Sequence, residues 1–345
     1  MSIDNEKISQ WLNKNDIGYI NDFNISIRSW LKAGGVIKTY ITPKNEQEII
    51  KIINFFNKEK QEYETLGNLS NVIIRDGYIL TPIINLTKLS KISQKLHLDK
   101  LEINVDAGVS IPRFANHIMK QKYSGTESLI GIPGSIGGGI YMNASCYGSE
   151  LTEFLVSIKS INSNGEVIIR DKKQAKFDWR KSVYHENQEI IISAVFQFPF
   201  SLKKDINTIN FKKEKIQFHR KKIQESDYPN LGSLFATKDL YSDIKFVSIK
   251  FFILYLFNKF VLVLINNKIY NKIDILSFRG KINKIYRKNF QINSNNSFSL
   301  SDKTINCLIN KGSQKSQDAI KTVYTIKKIV GQKVKLENII LDKIK

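Results

Sequence analysis

The sequence predicts an α+β fold of two or three domains, and three stretches carry this prediction. One stretch places apolar residues at helical spacing, one alternates apolar and polar residues as a strand does, and one is a hairpin with Asn164 and Gly165 at its turn. The 345 residues suffice for a sizeable core, and 42% apolar with 25% charged residues is typical of a globular protein.

The chain is strongly basic, with 53 Lys and Arg against 32 Asp and Glu and a net charge of +21. A nucleic-acid partner is one interpretation. The basic residues are mostly Lys, are scattered along the chain, and accompany many Ile and Asn. This pattern favours a drift in the base composition of the gene over a nucleic-acid partner. A basic surface would still attract anionic small molecules such as nucleotides.

The two cysteines, Cys146 and Cys307, form no disulfide framework and no CxxC motif, so the sequence favours a reducing compartment. The N-terminal residues are polar and amphipathic, with no apolar core of a signal peptide. These observations predict a cytoplasmic protein.

The pattern of helix and strand signals over residues 1–92 predicts a first unit of βαβ character. Asn45 is a candidate helix N-cap and Glu48 can reach back to it. A strand precedes this helix, and "YETLGNLSNVIIRDGYILTPIINL" follows as three strands with a tight loop and a turn between them.

Residues 93–205 predict a second α+β unit. From Leu101, apolar and polar residues alternate as in a half-buried strand. Ser110 can cap the next helix, with Pro112 in its first turn. The hairpin at Asn164 and a final strand, "EIIISAVFQFPF", complete the unit.

Residues 206–345 predict a third, C-terminal unit. It begins with a Lys-rich helix, and its apolar stretch from Phe251 to Ile265 predicts buried strands or a core helix, with membrane contact as the less favoured alternative. This stretch is too short to span a membrane, and Lys259 interrupts it. The chain is expected to close with a helix from Ser316 to a stop at Gly331.

The stretch "GIPGSIGGGIYMNASCYG" from Gly131 is unusually rich in glycine. Such a loop lets backbone N–H groups approach phosphate oxygens, although a tight structural turn is the alternative. It is neither a P-loop nor a Rossmann fingerprint. The loop "LGNLSN" from Leu66 also follows a strand, and two such loops on adjacent units predict a dinucleotide such as FAD between them. The candidate cofactor-binding residues are Gly67, Ser70, Asn71, Gly131, Pro133, Gly134, Ser135, Gly137, Gly138 and Asn143.

These motifs resemble the UDP-N-acetylenolpyruvoylglucosamine reductases, the MurB flavoenzymes of peptidoglycan precursor synthesis. The family's central motif is close to G-I-P-G-[ST]-x-G-G-x-x-x-M-N-A-x-x-Y-G. The matching residues here are Gly131, Ile132, Pro133, Gly134, Ser135, Gly137, Gly138, Met142, Asn143, Ala144, Tyr147 and Gly148. The segments "LGNLSN", "FDWRKS" and "PNLGSLF" are similar to three further family elements, and the resemblance is weakest over 238–300.

This resemblance implies a two-subdomain FAD-binding fold of the PCMH and vanillyl-alcohol-oxidase type, with a C-terminal α+β substrate domain. It also implies a cytoplasmic, monomeric oxidoreductase that takes hydride from NADPH onto FAD and passes it to the enolpyruvyl double bond of UDP-N-acetylglucosamine enolpyruvate. The product would be UDP-N-acetylmuramate, and no metal, nucleic acid or stable membrane insertion is expected.

The resemblance also implies two catalytic residues. Hydride addition pushes charge onto the substrate carboxylate, so the site needs a donor there and an acid for the other carbon. Arg180 matches the arginine that steadies the carboxylate, and Ser233 matches the proton donor. The family's glutamate falls on Ile339, and strand alternation argues against Glu337 as its replacement.

Other positions depart from the family pattern. Leu69 replaces a loop glycine, Thr304 replaces a histidine, and 236–238 differ from the usual Lys-Asn-Pro. Two alternatives therefore stay open, a paralogue acting on another nucleotide sugar and a non-catalytic FAD-binding protein. Glu127 could touch the flavin or cap a turn, and Cys146 has no nearby basic residue in the sequence to lower its pKa.

Overall fold

The computed structural model describes residues 4–266, 275–290, 292 and 296–344. Two sheets, each with its own helices, come first along the chain, and a third unit follows. Within the described chain, we find no helix with both the length and the apolar character needed to cross a membrane.

The first unit is a five-stranded mixed sheet with two helices. Strands β2, β6 and β3 run parallel, β1 pairs antiparallel with β2, and β5 pairs with β2 at its other end. Its elements are α1 (Asn5–Lys14), β1 (Tyr19–Asn24), β2 (Val36–Ile41), α2 (Glu46–Lys58), β3 (Glu64–Leu66), β4 (Val72–Ile74), β5 (Tyr78–Ile79) and β6 (Ile83–Asn85). The predicted cap of α2 is confirmed, because Asn45 Oδ1 accepts the Glu48 N–H at 2.9 Å and Glu48 accepts the Lys44 N–H.

The second unit is an antiparallel sheet of order β12-β11-β13-β8-β7. Its elements are β7 (Ile92–Leu96), β8 (Lys100–Asp106), α3 (Ile111–Lys120), α4 (Ile136–Tyr141), β9 (Ser145–Cys146), β10 (Ser149–Glu150), β11 (Leu155–Ile161), β12 (Val167–Asp171), α5 (Tyr184–Asn187) and β13 (Ile190–Pro199). The predicted alternation along β8 is confirmed, since Leu101, Ile103 and Val105 are buried. Ser110 caps α3, as expected.

The third unit is mainly helical. Helix α6 (Ile206–Ile223) leads into it and buries Ile209 in the core of the second unit. The elements that follow are α7 (Leu240–Asp243), α8 (Ile249–Asn266), α9 (Ile275–Asn289), β14 (Phe298–Leu300), β15 (Leu308–Asn310), α10 (Ser316–Val330) and β16 (Ile339–Leu341). Its core joins buried aromatic residues of α9 and β14 to the inner face of α10. Gly331 ends α10 with a positive φ of 86°, as predicted.

The prediction that the chain closes with α10 is wrong. Strand β16 follows it and pairs in parallel with β4, with Ile339 opposite Val72. Strand β4 lies outside the five-stranded sheet, so its edge is free to take β16. The end of the chain therefore returns to the first unit, next to the loop after β3.

The apolar stretch from Phe251 forms a helix, and the expectation of buried strands is wrong. Over the described side chains of α8, residues 249–260, only one side packs on the core, so the expectation of a core helix is wrong for the opposite side. Phe251 packs against Tyr286 and Phe290 on the inner side of the helix. The side chains beyond Phe260 in this stretch lie outside the described residues.

Candidate functional site

The loop after β3 and the glycine stretch before α4 touch each other. A Cβ at Gly67 would overlap the Ser135 hydroxyl, and a Cβ at Gly134 would lie 3.5 Å from Ser70 Oγ. Glycine at 67 is therefore required by the close approach of the second loop. The structure brings together the two loops that the sequence analysis assigned to one dinucleotide.

The first of these loops presents unbonded backbone donors. No described residue accepts a hydrogen bond from the N–H of Asn68, Leu69 or Ser70. Leu69 lies in the left-handed region at φ 55°, with its side chain buried. Successive N–H groups around such a residue form a concave anion-binding nest, so these residues fit a diphosphate.

The glycine stretch uses several of its glycines for packing. Gly137 lies against Ala107, where an added Cβ would be 2.9 Å from the Ala107 Cβ. The N–H groups of Ile136 and Gly137 donate to carbonyls of 109 and 107. Ser135 Oγ accepts the Gly138 N–H at 3.4 Å and so caps the N-terminus of α4. The part of the stretch that becomes α4 is therefore a short helix whose glycines allow close packing.

Arg220 occupies the space beside Gly131. Its guanidinium takes the position that a Cβ at 131 would need, and it donates to the Gly131 carbonyl. It also donates to Cys146 Sγ at 2.8 Å. The expectation that Cys146 has no basic neighbour is therefore wrong, because α6 brings Arg220 from a distant part of the chain. Burial still raises the pKa of the Cys146 thiol, with Arg220 opposing it.

Asn143 is held by the protein on both sides of its amide. It is buried at φ 43°, its Nδ2 donates to the Asp178 carbonyl at 3.1 Å, and its Oδ1 accepts from Thr152 at 2.8 Å. These bonds tie the end of the glycine stretch to the segment that carries Arg180. The geometry gives Asn143 a positioning role.

A cavity of about 1500 Å³ lies along both loops and the third unit. Asn68, Pro133 and Gly134 line it on one side, and Ser233 and Lys238 line it on the other. Such a volume exceeds that of a usual single-ligand pocket, which is ~300–1000 Å³. The cavity is therefore large enough for an extended ligand.

Arg180 is largely buried, with 16% of its side chain exposed, at φ 55°. It donates from Nη1 to Ser145 Oγ at 3.0 Å, and its Nε lies 2.8 Å from Glu337 Oε1. This ion pair joins the second unit to the segment before β16. It was missed at the sequence level, where Glu337 was set aside.

The reason for that miss is local. Glu337 lies before β16, so strand alternation does not set its direction. Its N–H donates to the Leu234 carbonyl, and its own carbonyl accepts from Asn71 Nδ2 at 2.9 Å. Asn338, a residue disfavoured in strands, was the signal that the alternation rule should not be applied here.

The environment of Glu337 alters its titration. Burial raises the pKa of the Glu337 carboxyl to about 7, although the Arg180 guanidinium beside it acts in the opposite direction. A carboxyl with this pKa can hold a proton or release it near neutral pH, as a general acid must. Ile339, the position at which the resemblance placed a glutamate, is instead part of the β16–β4 pair.

Two other predicted residues, Asn71 and Ser233, are bonded to the segment that carries Glu337. Asn71 Oδ1 accepts from Asn338 Nδ2 at 2.7 Å, so the Asn71 amide holds the Glu337 segment in place. Ser233 is exposed at the wall of the cavity, and its carbonyl accepts from the same Asn338 amide at 3.1 Å. The three loops that carry Asn71, Ser233 and Glu337 are thus bonded to one another.

Glu127 caps a turn, the second of the two roles left open for it. It is 1% exposed, accepts the Gly125 N–H at 2.8 Å and pairs with Lys212. Among the described residues, no group of three or more His, Cys, Asp or Glu side chains is placed to hold a metal ion.

Comparisons with known proteins identify relatives of this chain. Residues 37–170 match the family described as "FAD binding domain". The UDP-N-acetylenolpyruvoylglucosamine reductase of Streptococcus suis (strain 05ZYH33) is 32% identical over 208 residues, which cover 60% of this chain and 66% of that relative. The enzyme of the same name from Streptococcus pyogenes serotype M5 (strain Manfredo) is also 32% identical over 208 residues, and the match covers 68% of its length.

The fold has a solved counterpart. The crystal structure of UDP-N-acetylenolpyruvylglucosamine reductase (MurB) from Thermus caldophilus superposes with a TM-score of 0.65 at 16% identity, over 94% of this chain and 98% of that one. This likeness confirms the predicted fold class. With the sequence matches to the streptococcal enzymes, it follows that the chain belongs to the UDP-N-acetylenolpyruvoylglucosamine reductase family.

Proposed function

We propose that the chain is a flavin-dependent oxidoreductase that uses NADPH to reduce UDP-N-acetylglucosamine enolpyruvate to UDP-N-acetylmuramate. The observation that carries this proposal is the buried Arg180–Glu337 pair at the meeting point of three loops. The named activity of the relatives points the same way. We further propose segments 1–92 and 93–205 as the FAD-binding part, 206–345 as the substrate domain, a monomer, and a cytoplasmic location.

The cofactor would lie between the two touching loops. The N–H groups of Asn68, Leu69 and Ser70 would bind its diphosphate, and Gly134 leaves the second loop open at this point. Gly67, Gly131, Ser135, Gly137, Gly138 and Asn143 would hold the loops in shape. When bound, FAD supplies the hydride for the substrate double bond.

The protein residues would manage charge and protons. Arg180 would bind the carboxylate of the enolpyruvyl group, because a planar guanidinium can make two parallel hydrogen bonds to it. As hydride adds to one carbon, the charge that develops on the carboxylate is stabilised by the same guanidinium. A proton must then reach the neighbouring carbon.

We assign this proton to protonated Glu337, with Ser233 as the second candidate donor. A hydroxyl is a weak acid, whereas a carboxyl with a pKa of about 7 is matched to neutral pH. Glu337 would thus take the role of the family's glutamate, whose position is occupied by Ile339 in this sequence. After transfer, its carboxylate would again pair with Arg180 as the product leaves.

Two half-reactions test the proposal on purified, FAD-loaded protein. Stopped-flow absorbance would follow reduction of the flavin by NADPH, and then its reoxidation by UDP-N-acetylglucosamine enolpyruvate. Fast reactions in both halves are expected. Fast reduction with no reoxidation would favour a paralogue that acts on another nucleotide sugar, and a protein that binds FAD but accepts no hydride would be non-catalytic.

A further inference from the structure

Helix α8 exposes an apolar stripe of six side chains. They recur every three or four residues, which places them on one side of a helix. They are between 37% and 77% exposed, and they are Ile249, Phe252, Ile253, Leu256, Phe257 and Phe260. Phe246, just before the helix, is 78% exposed and extends the apolar surface.

The opposite side of the helix anchors it to the protein. Phe251 is buried, with its ring centroid 5.5 Å from that of Tyr286 and 5.3 Å from that of Phe290. Leu254 and Tyr255 pack against the same core. The helix is thus held by its inner side, and the exposed stripe makes no contribution to the described core.

Basic residues border the stripe on both sides. At 3.6 residues per turn, Lys250 lies next to one edge of the stripe and Lys259 next to the other, and both are exposed. From Ile244 to Phe290 the sequence has eight Lys and two Arg against one Asp. This arrangement suits a helix lying flat on an anionic surface, where lysines extend sideways to bind negative headgroups.

We propose that this side of α8 binds the surface of an anionic lipid bilayer, with its apolar stripe inserted at the level of the headgroups. The charge on both edges and the aromatic content of the stripe match such a surface. Tyr255, Asn258 and Lys259 of the same helix line the large cavity, so bilayer contact would place the cavity beside the lipid surface. The binding is peripheral.

The test uses full-length, FAD-loaded protein and vesicle co-sedimentation. Vesicles of phosphatidylcholine with about a quarter phosphatidylglycerol are compared with pure phosphatidylcholine, at low and high salt. We expect binding to the anionic vesicles only, and weaker binding as salt is raised. The double variant Ile253→Ser/Phe260→Ser should bind at least about tenfold more weakly, since it removes two large apolar side chains.

The matched control is Leu98→Ser/Ile169→Ser, which removes two exposed apolar side chains from the second unit. It should bind as the wild type does. The proposal fails if wild-type protein ignores anionic vesicles at low salt. It also fails if both double variants bind the vesicles equally, since binding would then depend on net charge alone. It fails as well if sedimentation reveals a dimer that the Ile253→Ser/Phe260→Ser variant dissociates, since a second copy of the chain would then cover the stripe.

Discussion

The Nε atom of Arg180 and the Oε1 atom of Glu337 lie 2.8 Å apart, and this pair connects the second unit to the returning end of the chain. Only 16% of each side chain is exposed. Because solvent screens such a pair weakly, the Arg180 guanidinium opposes the rise that burial causes in the pKa of the Glu337 carboxyl.

Replacing Glu337→Gln should separate the two half-reactions. Flavin reduction by NADPH should keep its rate, whereas reoxidation by the enolpyruvyl substrate should fall ~10²–10⁴-fold, because a general acid is lost. In the wild type, reoxidation should slow as pH rises above about 7, where the carboxyl loses its proton. Stopped-flow absorbance measures both steps. Glu153→Gln, at an exposed position, is the control, and an unchanged reoxidation rate in Glu337→Gln would assign the proton to another group.

Glu337 should also make folding stability depend on pH. Its pKa rises from 4.5 to about 7 on folding, so the folded state holds the proton more tightly than the unfolded chain. Stability from this group is complete below pH 4.5 and lost as pH rises through about 7, amounting to roughly 3 kcal/mol. Urea unfolding near both pH limits should show this loss in the wild type and not in Glu337→Gln. Equal pH dependence in the two proteins would contradict it.

Arg180→Lys should weaken substrate binding while it keeps the positive charge. A single ammonium cannot reproduce two parallel hydrogen bonds, so the apparent dissociation constant for the nucleotide sugar should rise ~10–100-fold. Titration of the reoxidation rate against substrate concentration measures it. Arg113→Lys, an exposed arginine on α3, should change nothing. Normal substrate affinity in the Arg180→Lys variant would remove the carboxylate role from this residue.

Gly67→Ala should lower FAD affinity by separating the two loops. The added methyl group overlaps the Ser135 hydroxyl, so the double variant Gly67→Ala/Ser135→Ala should recover much of the loss. Quenching of flavin fluorescence gives the dissociation constants. Gly280→Ala is the control, since a Cβ there meets nothing within 4 Å. If the double variant binds FAD no better than the single one, the contact between the loops is not what positions the cofactor.

Leu69→Gly should destabilise the protein although it restores the residue typical of the family. Glycine relieves left-handed strain of ~1–2 kcal/mol at φ 55°, but removal of a buried leucine side chain costs ~2–5 kcal/mol. The net expectation is a loss of up to ~4 kcal/mol in the free energy of unfolding, measured in urea. Lys60→Gly relieves the same kind of strain at an exposed position and should be neutral or slightly stabilising. A more stable Leu69→Gly protein would mean that the leucine packs poorly.

The sequence by itself determined the features that depend on neighbouring residues. The cap of α2 by Asn45, the alternation along β8 and the turn after Ile161 all follow from contacts within a few residues, which are present in the sequence as patterns. The glycine stretch likewise identified the family, because a motif of this length is specific.

Only the tertiary structure decided which distant residues meet. Arg180 reaches Glu337, Arg220 fills the space beside Gly131, and β16 pairs with β4 because three separately packed units converge on two loops. Tertiary packing also decided which side of α8 is exposed. The apolar residues of this helix could have faced a core or a surface, and the contacts of Phe251 with Tyr286 and Phe290 determine which side faces inward. Periodicity specifies the side of an element that is apolar, and only packing determines what that side contacts.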